Sequence, residues 1–139
     1  MLDYLERNLT KAQRREVAQY MAQYNHLDAI IKAKQLEAMP SKTSTIKDEP
    51  VQESSSDQTE ADVYLKKSFE IDELIKTKQK LDIVYNRVKP LHKLIWDEHF
   101  INGEADFKVY YDYDNDFTKT TYYEEKKELM NIVAECLNI

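Results

Sequence analysis

A chain of 139 residues holds one ordinary domain, or two small helical pieces on a tether. One glycine and three prolines are too few turn residues for a strand-rich fold, whereas 33% charged and 42% hydrophobic residues let helices bury one face and keep the other wet. The composition predicts an all-α protein, and a net charge of −6 excludes a chain that is basic throughout.

No stretch reaches the ~20 continuous apolar residues that span a bilayer, and Met1-Leu2-Asp3-Tyr4-Leu5-Glu6-Arg7 lacks a signal-peptide core, so no membrane partner is expected. A lone cysteine, Cys136, builds neither a disulfide framework nor a metal cluster, which points to a reducing cytosol. The histidines at 26, 92 and 99 show no ligand pattern. Pairings such as His92 with Asp97, or His99 with Glu98, read as surface helix residues, and neither metal nor cofactor is expected.

Residues 1–39 read as an N-terminal helical unit. Leu2, Leu5 and Leu9 share a short face, and Thr10-Lys11-Ala12-Gln13 is a capping box for a new helix. Val17, Tyr20, Met21, Tyr24, Leu27 and Ile31 then recur at helical steps, predicting one helix that ends near Met39-Pro40. From 40 to 60 only Ile46 and Val51 are sizeable apolar groups, too few to offset the entropy of ordering, and a flexible linker is predicted.

The third region, 61–139, opens on a long helix from about Glu60 to Lys89, capped at Thr59-Glu60-Ala61-Asp62. Its apolar positions Tyr64, Ile71, Leu74, Leu81, Tyr85 and Val88, with Ile75 and Val84 beside them, average close to a heptad. Some thirty residues extend about 45 Å, long enough to call for pairing with another helix or a second copy of the chain. Pro90 starts the next helix, with Leu91, Leu94, Ile95 and Phe100 inward and Trp96 on its flank, up to the turn at Asn102-Gly103. Phe107, Tyr110, Tyr111 and Tyr113 form a shorter helix, its tyrosines core or partial core, and Asp114-Asn115-Asp116 a turn. Thr118 caps the last helix, with Tyr122, Leu129, Ile132, Val133 and Leu137 inward.

An enzyme finds no footing: one glycine makes no phosphate loop, and no serine or Cys136 sits in a nucleophile motif. Asp112, Asp114 and Asp116 are spaced like a calcium loop, but Phe117 and Thr118 replace its glycine and Tyr123 its twelfth-position glutamate. More informative is the order helix, turn, short helix, turn, Thr-capped helix. A Thr cap at 118, Thr121 three residues on, a buried Tyr122 and then lysines is similar to the way sigma-factor region-four helices enter the major groove. Short side chains let the helix start approach base edges, while lysines reach phosphates.

Several stretches carry a resemblance: the Ser/Thr-rich run to Val51-Gln52-Glu53-Ser54, Val88-Lys89-Pro90-Leu91-His92-Lys93-Leu94-Ile95-Trp96-Asp97-Glu98-His99-Phe100, Phe117-Thr118-Lys119-Thr120-Thr121-Tyr122-Tyr123-Glu124-Glu125-Lys126-Lys127-Glu128-Leu129, and the ending Ile132 to Ile139. From the linker onward the chain resembles the ArpU/RinA-type late transcriptional regulators of Gram-positive phages. The resemblance implies a C-terminal helix-turn-helix that binds double-stranded promoter DNA and activates late genes by recruiting host RNA polymerase in the bacterial cytosol. The residues assigned to DNA are Thr118, Lys119, Thr120, Thr121, Tyr123, Lys126 and Lys127. Glu124 and Glu125 depart from the family, which usually carries a basic and often an aliphatic residue there.

Charge argues the other way. Residues 102–139 hold four lysines against nine acids, which leaves this unit weak in phosphate contacts by itself. Arg14 and Arg15, or the clusters Lys76, Lys78, Lys80 and Arg87, Lys89, Lys93, would compensate only if folding sets them beside the last helix; dimerisation would add a second half-site. The alternatives are an acidic helical adaptor acting on the transcription machinery without touching DNA, and an inhibitor that mimics DNA with Asp112, Asp114 and Asp116.

Overall fold

The computed structural model describes residues 7–38, 60–112 and 118–139. Among them there is no strand, and the fold is all-α as composition predicts. Helix α1 spans Lys11–Gln23, a 3₁₀ turn covers Tyr24–His26 and α2 is Leu27–Ala38. Helix α3 is Glu60–Arg87, α4 is Pro90–Ile95 with a π-helical turn Trp96–Ile101 after it, α5 is Asp106–Asp112 and α6 is Lys119–Leu137. The predicted linker, apart from Glu60, and the turn Asp114-Asn115-Asp116 lie outside the described residues. No described helix is long and apolar enough to cross a membrane.

The chain divides into two compact units, one made of residues up to His26 together with Thr77–Ile139, the other of Leu27–Lys76. In the larger unit, α1 starts at the expected capping box: Gln13 N–H donates to the Thr10 hydroxyl at 3.1 Å, and Thr10 N–H to Gln13 Oε1 at 2.9 Å. Val17 and Met21 are buried one turn apart. The single helix predicted as far as Met39 is instead interrupted. The Met21 carbonyl accepts both the Tyr24 N–H and, at 3.0 Å, the Trp96 indole N–H, while the Tyr24 hydroxyl donates to Asp82 at 2.5 Å. These partners, far away in sequence, hold the chain in a tighter turn than an α-helix allows.

Trp96 is likewise not on a flank. It is buried, as are Ile95, Leu81 and Val84, and its ring lies 5.3 Å from that of Tyr24 and 5.2 Å from that of Tyr85. On α6, Tyr122, Leu129 and Val133 are buried as expected. Met130, Asn131 and Ala134 are buried too, whereas Ile132 and Leu137 are only half-buried. The inward stripe is broad and shifted because α1, α4 and α5 all pack on this helix. Asn138 closes it in the left-handed conformation, φ 61°. On α5, Val109 is buried and Tyr110 half-buried, but Tyr111 and Phe107 are exposed, since a two-turn helix presents only one side to α6.

The smaller unit buries Leu27, Ile31 and Ile71 and leaves Tyr64, Leu65 and Phe69 exposed. Of the heptad-like stripe predicted on α3, Ile71, Leu81 and Val84 are buried, Leu74, Ile75, Tyr85 and Val88 are half-buried, and Tyr64 faces solvent.

Candidate functional site

Helix α6 begins as the sequence predicts. Thr118 is the N-cap with extended backbone; its hydroxyl accepts the Thr121 N–H at 3.0 Å and donates to the Thr121 hydroxyl at 2.9 Å. Both threonine side chains are therefore occupied in the cap. The first turn contains no acid to offset the positive end of the helix dipole. Lys119, Thr120, Tyr123 and Lys127 are exposed along one face, with Glu124 beside them.

That face runs into an open groove of about 660 Å³ between α1 and α6. Its floor is Leu9, Phe100 and Met130, and its rim carries Lys11, Arg14 and Arg15 from the α1 side and Tyr123, Lys126 and Lys127 from α6. The Arg14 guanidinium donates to the Leu9 carbonyl at 2.8 Å. Lys11, Arg15, Lys119 and Lys127 make no ion pair among the described residues. The condition that charge imposed, basic residues brought beside the last helix, is met by Arg14 and Arg15. Folding also adds Lys11, which lies between the capping-box residues Thr10 and Gln13. What holds α1 there is the buried pair Val17 and Met21, an Asn131 side chain donating to the Arg7 carbonyl at 2.9 Å, and Arg7 itself, 3.0 Å from Glu135 and bonded to the Ile139 carbonyl.

Of the other basic clusters, Lys76, Lys78 and Lys89 are drawn off into ion pairs. Lys78 meets Asp82 at 2.9 Å, Lys76 lies 3.8 Å from Glu73, and Lys89 sits between Glu125 and Glu128. Lys93 lies 5.8 Å over the Tyr85 ring.

Four acids of the C-terminal region, Asp106, Glu125, Glu128 and Glu135, are absorbed in the same way. Asp106 accepts the Tyr122 hydroxyl at 2.5 Å and the Lys126 ammonium at 2.9 and 3.0 Å, with His99 Nδ1 at 3.3 Å. Burial by itself would raise this carboxyl, but the bonds from Tyr122 and Lys126 and the nearby His99 hold it below the ordinary carboxylate range. Lys126, assigned to DNA by sequence, thus lines the groove with its charge already matched. Burial and the Asp106 bond push the Tyr122 phenol well above its ordinary value, so it stays a donor.

A second cluster joins α4 to α6. His92 is buried, not the surface residue expected, because its imidazole Nε2 is drawn to Glu125 Oε1 at 2.9 Å and Glu128 Oε1 at 3.3 Å. Burial pushes the imidazole below its ordinary value against the upward pull of both carboxylates, so the ring is neutral at pH 7. Nδ1 is buried with no hydrogen-bond partner among the described residues. Burial works against the Lys89 charge, yet Glu125 and Glu128 together raise its ammonium above the ordinary value. Comparison of the chain with protein-family models, with characterised proteins and with solved structures finds no match.

Proposed function

We propose that the protein is a phage or prophage transcriptional regulator that binds promoter DNA with the outer face of α6 and activates late genes in the host cytosol. Thr120 and Tyr123 would meet base edges in the major groove. Lys119 and Lys127, with Lys11, Arg14 and Arg15 across the groove, would meet the flanking phosphates. The observation that carries this is the α1–α6 groove: apart from Lys126, its cations have no carboxylate partner among the described residues, while Asp106, Glu125, Glu128 and Glu135 are engaged within the fold. An overall charge of −6 is therefore compatible with a cationic surface at the one place where DNA would lie. An acidic adaptor would need those carboxylates free, and has less support. Exposed Tyr64, Leu65 and Phe69 on α3 suit pairing with a second copy, which would present two half-sites.

The test is a binding titration on a late-promoter duplex and an unrelated duplex across a salt series. Specific binding should weaken steeply with salt at two chains per duplex, and Arg15→Glu or Lys127→Glu should each lower the slope by about 1. Absence of binding at low salt, or binding indifferent to both reversals, sinks the proposal.

A further inference from the structure

We propose that His92, Glu125 and Glu128 form a binding site for a divalent transition-metal ion, with zinc the best fit, at the junction of α4 and α6. Glu125 and Glu128 stand one turn apart on α6 and His92 faces them from α4. The two nitrogen–oxygen separations are 2.9 and 3.3 Å, and the three ligand atoms all lie within 4.8 Å of one another. Around a tetrahedral ion with bonds of about 2.1 Å, neighbouring ligand atoms stand about 3.4 Å apart. Only small side-chain adjustments separate the present arrangement from coordination.

The chemistry of the set is selective. One neutral imidazole and two carboxylates suit zinc and its neighbours, whereas magnesium and calcium take all-oxygen sites. An imidazole ligates through an unprotonated nitrogen, so the proton that Nε2 shares with the carboxylates has to leave it. The ring's only polar partners are the two carboxylates, since Nδ1 has none among the described residues. The carboxylates are 22% and 24% exposed, which leaves an approach from solvent and room for water as a further ligand.

Lys89 marks the cation position. Its ammonium lies 3.3 Å from Glu125 and 3.4 Å from Glu128, on a side chain 58% exposed that can swing into water. When the metal binds, Lys89 is released and the ring proton moves from Nε2 to Nδ1. None of the three ligands lines the α1–α6 groove, so the site stands or falls independently of DNA binding.

The experiment is calorimetric titration of the tag-free, chelator-treated full chain with zinc chloride, and separately with magnesium chloride, folding being checked by circular dichroism. One zinc per chain is expected, with no magnesium heat. Glu128→Gln should weaken zinc by more than the about tenfold that loss of an outer partner typically costs. Lys89→Ala should tighten it by removing the competing ammonium, and Cys136→Ser should leave it unchanged. No zinc binding to the folded wild type, magnesium binding equal to zinc, or zinc binding that survives Glu125→Gln/Glu128→Gln overturns the proposal.

Discussion

Two clusters clamp α6 to its neighbours, and they resolve the burial of charge in opposite ways. Residues 122 and 126 grip Asp106 of α5; residues 125 and 128, on an adjoining strip of the same helix, grip His92 of α4. Asp106 collects hydrogen bonds from a phenol and an ammonium, with the His99 ring nearby, enough to outweigh desolvation, and stays ionised. His92 faces two carboxylates, but it is far more buried and Lys89 claims part of their charge, so desolvation wins and the ring stays neutral. Burial penalises charge at both sites. The supply of matching partners decides which group keeps it.

Removing the centre of each cluster should expose that difference, and the largest effect belongs to Asp106. Asp106→Ala leaves the Lys126 ammonium, only 19% exposed, and the buried Tyr122 hydroxyl without their acceptor. Losing charged, partly buried hydrogen bonds of this kind costs about 2–3 kcal/mol. Urea denaturation at pH 7 should show that loss, and a variant within about 0.5 kcal/mol of wild type would mean that solvent already shares the site.

Neither cluster is visible in sequence, and the reason is the same for both. Caps are local, so Thr10 with Gln13 and Thr118 with Thr121 are legible three residues apart. Periodicity is local as well, which is why the outward face Lys119, Thr120, Tyr123 and Lys127 could be drawn before any fold was known. Which helix lies against which is not local. The break after Gln23 depends on Trp96, 75 residues from the Met21 carbonyl it bonds. His92 is read as surface because it sits among Leu91, Lys93 and Leu94, with nothing to announce Glu125 and Glu128 more than thirty residues later. The same blindness hid the α1 side of the groove: Arg14 and Arg15 look like any solvated helix face until α1 packs on α6.

An intermediate effect follows from acid. In metal-free protein the His92 imidazole binds its proton less readily folded than unfolded. Its contribution to stability is therefore complete above the unfolded value, about 6.5, and is lost as pH falls from there through the lower folded value. Asp106, also lowered, keeps its contribution down to the carboxylate range near about 4 and loses it only below. Urea midpoints should fall between pH 7 and pH 5.5 for the wild type, and fall less for His92→Gln. Equal slopes in the two proteins would show that His92 does not set the loss.

The smallest effect should come from Lys89, and its sign is informative. More than half exposed and sharing two carboxylates, it contributes less than about 1 kcal/mol at pH 7, as solvent-screened pairs do. Its charge, however, is one of the forces keeping His92 neutral. In Lys89→Ala the uncompensated Glu125 and Glu128 pull the folded imidazole's value upward, toward that of the unfolded chain. The gap that drives acid loss then narrows, and the metal-free variant should lose less stability between pH 7 and pH 5.5 than the wild type does. A steeper loss would mean that Lys89 shields the cluster from protons by covering it rather than by its charge, and the balance drawn between the two clusters would have to be redrawn around access instead of electrostatics.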